Sequence, residues 1–184
     1  MLGNAINEQT VEFVLSSSVQ PILAELQPDD LRADRVLSTL TKLRREMSGE
    51  EAGALVALAQ LRLRAVAKFP NAARLFFVAE ALEQSTSWEI ADRRAAWLHA
   101  NLPPGPLLDL GCGIGGDMLA MAQYRPVVGY ENDPVRARLA LANAAALNLP
   151  HCVEVRSADW TLDLAEDRLP DAVGVFADPS RRIH

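Results

Sequence analysis

The run Leu-Leu-Asp-Leu-Gly-Cys-Gly-Ile-Gly-Gly-Asp at 107–117 constrains the fold more than any other part of the chain. Apolar residues lead into an acidic one, Asp109, and glycines follow at alternate positions, Gly111, Gly113 and Gly115. An apolar helical stretch comes next, from Met118 to Ala122. This is the pattern of a buried parallel strand turning sharply into a helix. Glycine permits the positive φ that such a turn needs and lets the main chain approach a ligand with no Cβ in the way. Free N–H groups at the start of the helix point outward beside it. The segment suits a nucleotide-like ligand.

From Pro106 onward strands alternate with helices. Strands are expected at Pro106–Leu110, Val127–Glu131, Val153–Arg156 and Ala172–Ala177. Asp133 followed by Pro134 reads as an N-cap with proline at the first helical position, opening a helix to about Leu147. Alternation of this kind implies a Rossmann-like α/β fold with a parallel sheet in three layers, whose ligands bind beyond the carboxyl ends of the strands. Residues 1–101 read instead as an all-α N-terminal domain. Val36, Leu37, Leu40 and Leu43 mark one amphipathic helix; Ser48 to Glu51 forms a capping box before Val56, Ala59, Leu63 and Val66. Thr86 to Glu89 reads as a second box, opening a helix through Trp97, and Leu102-Pro-Pro-Gly105 ends the helical regime. The expected division is therefore 1–101 and 102–184. Only four strands can be read in the second part, fewer than a doubly wound sheet usually has, so a truncated sheet and a fragment of a longer protein are expected. An uncovered fourth strand could pair with its twin in a homodimer.

Composition narrows the classes further. The chain has 184 residues, 49% apolar and 23% charged, with a net charge of −6. That balance argues against a protein that coats nucleic acid generally. No apolar run approaches the roughly 20 residues that span a bilayer. Met1 to Glu8 has no basic n-region, so no secretion signal is expected, and a reducing cytoplasm is the simplest home. Cys112 and Cys152 have no paired spacing, and no metal site is expected. Lys42, Arg44, Arg45, Arg62, Arg64, Lys68 and Arg74 read as solvated helix faces, and Phe76 and Phe77 as core. His99, His151 and His184 lack partners at recognisable spacing.

Gly111, Gly113 and Gly116 also satisfy G-x-G-x-x-G, and Glu131 stands where a ribose-binding carboxylate is expected. These motifs alone leave a dinucleotide and a nucleoside cofactor equally open. Three features favour the nucleoside. Asp109 lies inside the strand, where it can accept from loop N–H groups or from a ligand ammonium. Ser157-Ala-Asp-Trp160 follows the third strand, so Asp159 and Trp160 can meet an adenine amino group and ring. Asp178-Pro-Ser-Arg-Arg182 follows the fourth strand, beside the expected reaction centre. The plainer alternatives are an Asp109 that serves only its own loop, an Asp159 that is a turn residue, a Trp160 that packs on a helix and a Cys112 that merely fits.

The segments LLDLGCGIGG (107–116), VVGYEND (127–133), SADW (157–160) and FADPSRR (176–182) together resemble the class I S-adenosylmethionine-dependent methyltransferases. The resemblance implies that Asp109, Gly111, Cys112, Gly113 and Gly115 hold the methionine part of the cofactor. It implies ribose contact for Glu131, an adenine wall for Asn132 and Trp160, and an adenine N6 contact for Asp159. The segment 68–95 followed by these motifs is also similar to bacterial methyltransferases with a THUMP-like domain, and distantly to trimethylguanosine synthase. That narrower resemblance implies that Gln84–Ser87, with Thr86, lies close to the cofactor, and that the acceptor is an amine of RNA, of guanine type. In amine-directed members an Asp/Asn-Pro-Pro-aromatic motif orients the acceptor. This chain keeps Asp178 and Pro179 as the catalytic pair but has Ser180 and Arg181 in place of proline and aromatic. The rivals are an NAD(P)-dependent oxidoreductase and a catalytically incomplete cofactor-binding or scaffold fragment.

Overall fold

The computed structural model describes residues 5–178. Six helices come first: α1 (Val11–Leu15), α2 (Val19–Glu25), α3 (Val36–Leu43), α4 (Gly49–Ala65), α5 (Ala79–Gln84) and α6 (Trp88–Asn101). The α/β part follows as β1 (Leu107–Leu110), α7 (Gly116–Ala122), β2 (Val127–Glu131), α8 (Pro134–Ala146), β3 (Val153–Ser157), α9 (Trp160–Ala165) and β4 (Gly174–Ala177).

α4 starts where its box predicts. Ser48 Oγ accepts from Glu51 N at 3.1 Å, and Glu51 Oε2 accepts from Ser48 N at 2.8 Å. The Thr86–Glu89 box does not form. The cap position of α6 is Ser87, which makes no side-chain cap bond, and the Trp88 N–H donates to the Lys68 carbonyl at 2.8 Å. Glu89 pairs instead with Arg93, one helical turn on. α8 opens as expected: Asp133 Oδ1 accepts from Val135 N and Arg136 N.

The strands are all parallel, in the order β3-β2-β1-β4. Among the described residues β4 is therefore an edge strand, and its Val175 is 61% exposed. β1 is buried along its whole length, with Asp109 opposite Gly129 on one side and Phe176 on the other. Gly129 is required by packing: a Cβ there would sit 2.6 Å from Met118 Sδ and 2.9 Å from Cys112 Sγ. One face of the sheet packs Leu107 and Val127 with Met118 and Leu119 of α7 and with Ala91 and Ala95 of α6. The other face packs Leu108, Leu110 and Tyr130 with Trp160 and Leu169. α6 thus belongs to the layers of the sheet, although it precedes the proline stop.

The remaining helices share one core around Leu55, Leu58, Phe69 and Phe77, and that core runs into Ile114 of the glycine loop and Leu139 of α8. Buried Asn143 of α8 pins the seam: it accepts from Phe76 N at 2.7 Å and donates to the carbonyls of Phe76 and Ile114 at 3.0 and 2.9 Å. Phe76 and Phe77 are core, as expected. Two of the basic residues expected on solvated faces are structural instead. Arg62 lies over the Phe76 ring and donates to the Leu75 carbonyl. Lys68 donates to the carbonyls of Leu82, Glu83 and Ser85, closing the end of α5. His99 also has a partner, since both its carbonyl and its ring face the Arg125 guanidinium. No helix among the described residues is long and apolar enough to cross a membrane.

Candidate functional site

The carboxyl ends of the strands open into a cleft of about 900 Å³. The glycine loop forms its floor. Gly111, Gly113 and Gly115 take φ values of 91°, 58° and 94°, which an L side chain rarely adopts. A Cβ at Gly111 or Gly113 would meet nothing within 4 Å, so the main chain there faces open space. Gly115 differs from the expectation. It caps α7 with its back against Met118 and Leu119, and it does not line the cleft.

The amides of Gly111, Cys112 and Gly113 are satisfied without Asp109. Gly111 and Cys112 donate to the Tyr130 carbonyl, both at 2.9 Å, and Gly113 N donates to Glu131 Oε2 at 2.9 Å. Glu131 Oε1 accepts from Asp133 N at 2.8 Å, so this one side chain ties the loop to the start of α8. Asp109 is 2% exposed and lines the cleft, yet its Oδ2 has no hydrogen-bond partner. Burial pushes its carboxyl up to about 8; Asp117 and Asp178 add repulsion, Arg94 opposes the rise, and Glu131 adds to it. Burial likewise pushes the Cys112 thiol up, which makes it a small packing residue rather than a reactive one.

Of the other residues singled out from sequence, Thr86, Asn132, Asp159, Trp160 and Asp178 all line the cleft. Asp159 also caps α9, accepting from Thr161 N at 2.9 Å and Thr161 Oγ1 at 2.6 Å, and these bonds hold its carboxyl below the usual range. Trp160 packs partly against Leu108, Leu110 and Tyr130 while forming one wall. Pro179 lies outside the described residues. Sequence reasoning missed Asp117, Tyr130 and Phe176, which line the same cleft. Asp117 sits in the first turn of α7, where Thr86 donates to it and Arg94 Nη1 lies 2.5 Å from its Oδ1. Its own carboxyl is raised, chiefly by burial. The Arg94 guanidinium also lies over the Phe176 ring, 4.8 Å from its centre.

Among the described residues the cleft wall thus carries six acidic side chains, Asp109, Asp117, Glu131, Asp133, Asp159 and Asp178, and one guanidinium, Arg136, which is itself paired with Glu80. A site so charged favours a cationic ligand over a polyphosphate. Among the described residues no cluster of His, Cys, Asp and Glu has the arrangement of a metal site.

The chain is similar along almost its whole length to the crystal structure of an inferred methyltransferase from Porphyromonas gingivalis W83. The TM-score is 0.66 at 20% identity, and the match covers 96% of this chain and 42% of that one. The chain therefore spans less than half the length of that protein. An inferred O-methyltransferase from Klebsiella pneumoniae matches at TM-score 0.46 and 15% identity, over 78% of this chain and 60% of that one. An O-methyltransferase from Bacillus cereus in complex with SAH matches at TM-score 0.45 and 18% identity, over 91% and 62%. The last two superpose too loosely to bear on the fold. A family described as a domain of unknown function, DUF8688, matches residues 8–65, which hold α1 to α4. No curated protein matches the chain. Sheet order, flanking helices and the first of these structures together define a Rossmann-like α/β fold, shared with that methyltransferase.

Proposed function

We propose that the chain binds S-adenosylmethionine and that the protein it belongs to transfers a methyl group to an amine. The observation that carries this reading is the unpartnered Asp109 Oδ2 in an acidic cleft. A buried carboxylate without a partner is costly unless a ligand supplies one. The α-ammonium of S-adenosylmethionine is such a partner, and its sulfonium adds a second positive charge. A nicotinamide dinucleotide would instead bring a pyrophosphate among these acidic side chains, which disfavours the oxidoreductase reading.

The residues present fit the cofactor. The cradle at Gly111 and Gly113 leaves room for the methionine part, with Asp109 accepting from its ammonium. Glu131 accepts from the ribose hydroxyls through lone pairs beyond those it gives to Gly113 and Asp133. Asn132 and Trp160 flank the adenine, and Asp159 accepts from its amino group. When bound, the cofactor supplies an electrophilic methyl group. Asp178 accepts from the acceptor amine and so aims its lone pair. Catalysis of this kind is mainly alignment, which can contribute roughly 7–11 kcal/mol. On the resemblance to THUMP-like-domain methyltransferases the acceptor is an amine of RNA, and a panel of RNAs offered to a longer form of the protein tests that.

Calorimetric titration with S-adenosylhomocysteine, with NADH as control, tests the cofactor class. Selective micromolar binding of S-adenosylhomocysteine is expected. Binding of NADH alone overturns the proposal.

A further inference from the structure

Arg94 does not line the cleft, yet it touches two residues that do. From α6 its guanidinium reaches Asp117 at the start of α7 and covers the ring of Phe176 on β4. These two residues stand on different elements, and one planar cation spans them. Arg94 is also the cation that opposes the charging cost of Asp109. The charged groups around Asp109 come from several elements: Asp117 from α7, Asp178 beyond β4, Arg94 from α6 and Glu131 from β2, while Thr86, before α6, bonds to Asp117 beside Arg94. On its own helix the other charges are engaged elsewhere, Arg93 with Glu89 and Asp92 with the Tyr124 hydroxyl.

We propose that Arg94 is a positioning residue, which places one cation beside the carboxyl groups at the methionine end of the cleft and holds Phe176 and Asp117 in place as its wall. The proposal rests on the S-adenosylmethionine reading for its consequence in binding, though not for its effect on the carboxylates themselves. Coulombic support from one cation explains how Asp109 can ionise when a cationic ligand arrives. The flat guanidinium explains why the position is filled by Arg: a Lys ammonium would carry the charge but could not lie over the ring.

The test uses the whole chain as wild type, Arg94→Met, Arg94→Lys and the double variant Arg94→Met/Asp117→Asn, each checked for folding by circular dichroism. Two readouts are taken: the carboxyl titration of ¹³C-aspartate-labelled protein without ligand, and S-adenosylhomocysteine affinity as a function of pH. In Arg94→Met the Asp109 midpoint should rise. Affinity at neutral pH should then fall by about tenfold for each unit of that rise, and recover as the pH is raised. Arg94→Lys should restore the pH profile and leave a smaller, pH-independent loss from the uncovered Phe176 ring. The double variant removes one charge of each sign and should return the midpoint toward wild type. An unchanged midpoint in Arg94→Met, with affinity lowered equally at every pH, would overturn the proposal and leave a merely structural contact. If no variant, wild type included, binds S-adenosylhomocysteine, the cofactor reading fails, and the ligand-free titration still decides the role of Arg94.

Discussion

Asn143 and Asp109 flank the glycine loop, one at the seam with the helical part and one at the mouth of the cleft. Both are nearly sealed from solvent, at 1% and 2% exposure. The Asn143 amide is matched on both its donor and its acceptor sides, joining Phe76 to Ile114. Asp109 leaves Oδ2 with nothing to accept from. The seam is built for stability. The cleft carries an ionisable group whose pairing is deferred, the pattern expected where function is kept at a cost to the unliganded fold.

The comparison breaks most sharply at Asn143. Asn143→Ala would strand the Phe76 N–H and the Phe76 and Ile114 carbonyls, and should destabilise the chain by about 3–5 kcal/mol. Urea denaturation measures this; a loss under about 1 kcal/mol would mean that water replaces the amide without cost. Asp109→Asn should do the reverse. It removes a group whose ionisation burial opposes, so the unliganded protein should be no less stable than wild type. S-adenosylhomocysteine affinity should fall by roughly 1.5–3 kcal/mol, since the amide loses the charge-assisted bond and turns a donor toward the ligand ammonium. Calorimetry showing full affinity in this variant would break the contrast.

The pH dependence of stability sharpens it. The Asp109 carboxyl rises from 3.8 to about 8 on folding. Between those values the folded chain holds a proton that the unfolded chain has lost, so this group's contribution to stability declines as pH rises and levels off above about 8. Asp117, also raised, acts in the same direction. Urea midpoints across this range should fall with pH more steeply in wild type than in Asp109→Asn. Parallel curves would show that Asp109 is not the source of the slope.

The two regions were not equally legible in the sequence. Short signals with a local cause survived folding: the alternation of glycines from Gly111, the Asp133–Pro134 start of α8, and the Ser48–Glu51 box. What failed depended on tertiary placement. The Thr86 hydroxyl looks like a cap until Asp117 is brought beside it. Gly115 alternates with the two glycines that face the cleft, and only the close approach of Met118 and Leu119 shows that it faces inward. α9, six residues long and without a buried side chain, leaves too little periodicity to be read, so the sequence offered adenine contact or a turn for Asp159 and not its role as the cap of a helix. Arg94, Asp117 and Phe176 lie in segments that stand out in the sequence, but nothing in those segments gives them a role. They become a group only because α6 packs on α7 beside β4.

The smallest expected effect concerns the other wall of the cleft. Tyr130 is fully buried, and its hydroxyl accepts from Arg156 Nη1 at 2.9 Å and donates to Asp163 Oδ2 at 3.1 Å. Asp163 belongs to α9, the helix that Asp159 caps and Trp160 begins. The bond therefore ties the proposed adenine wall to β2, the strand that also carries Glu131. Tyr130→Phe keeps the ring and its packing against Leu108 and Leu110, and removes only the hydroxyl. Asp163 and Arg156 are both partly open to solvent, so water can take over their bonds, and the loss should stay near 0.5–1.5 kcal/mol in stability. S-adenosylhomocysteine should bind more weakly by a similar or smaller amount. Adenosine, which lacks the methionine part, should show the same loss, because the defect lies at the adenine end. A loss confined to S-adenosylhomocysteine would place the effect of Tyr130 at the glycine loop, through the carbonyl that holds Gly111 and Cys112, and the wall assigned to α9 would have to be withdrawn.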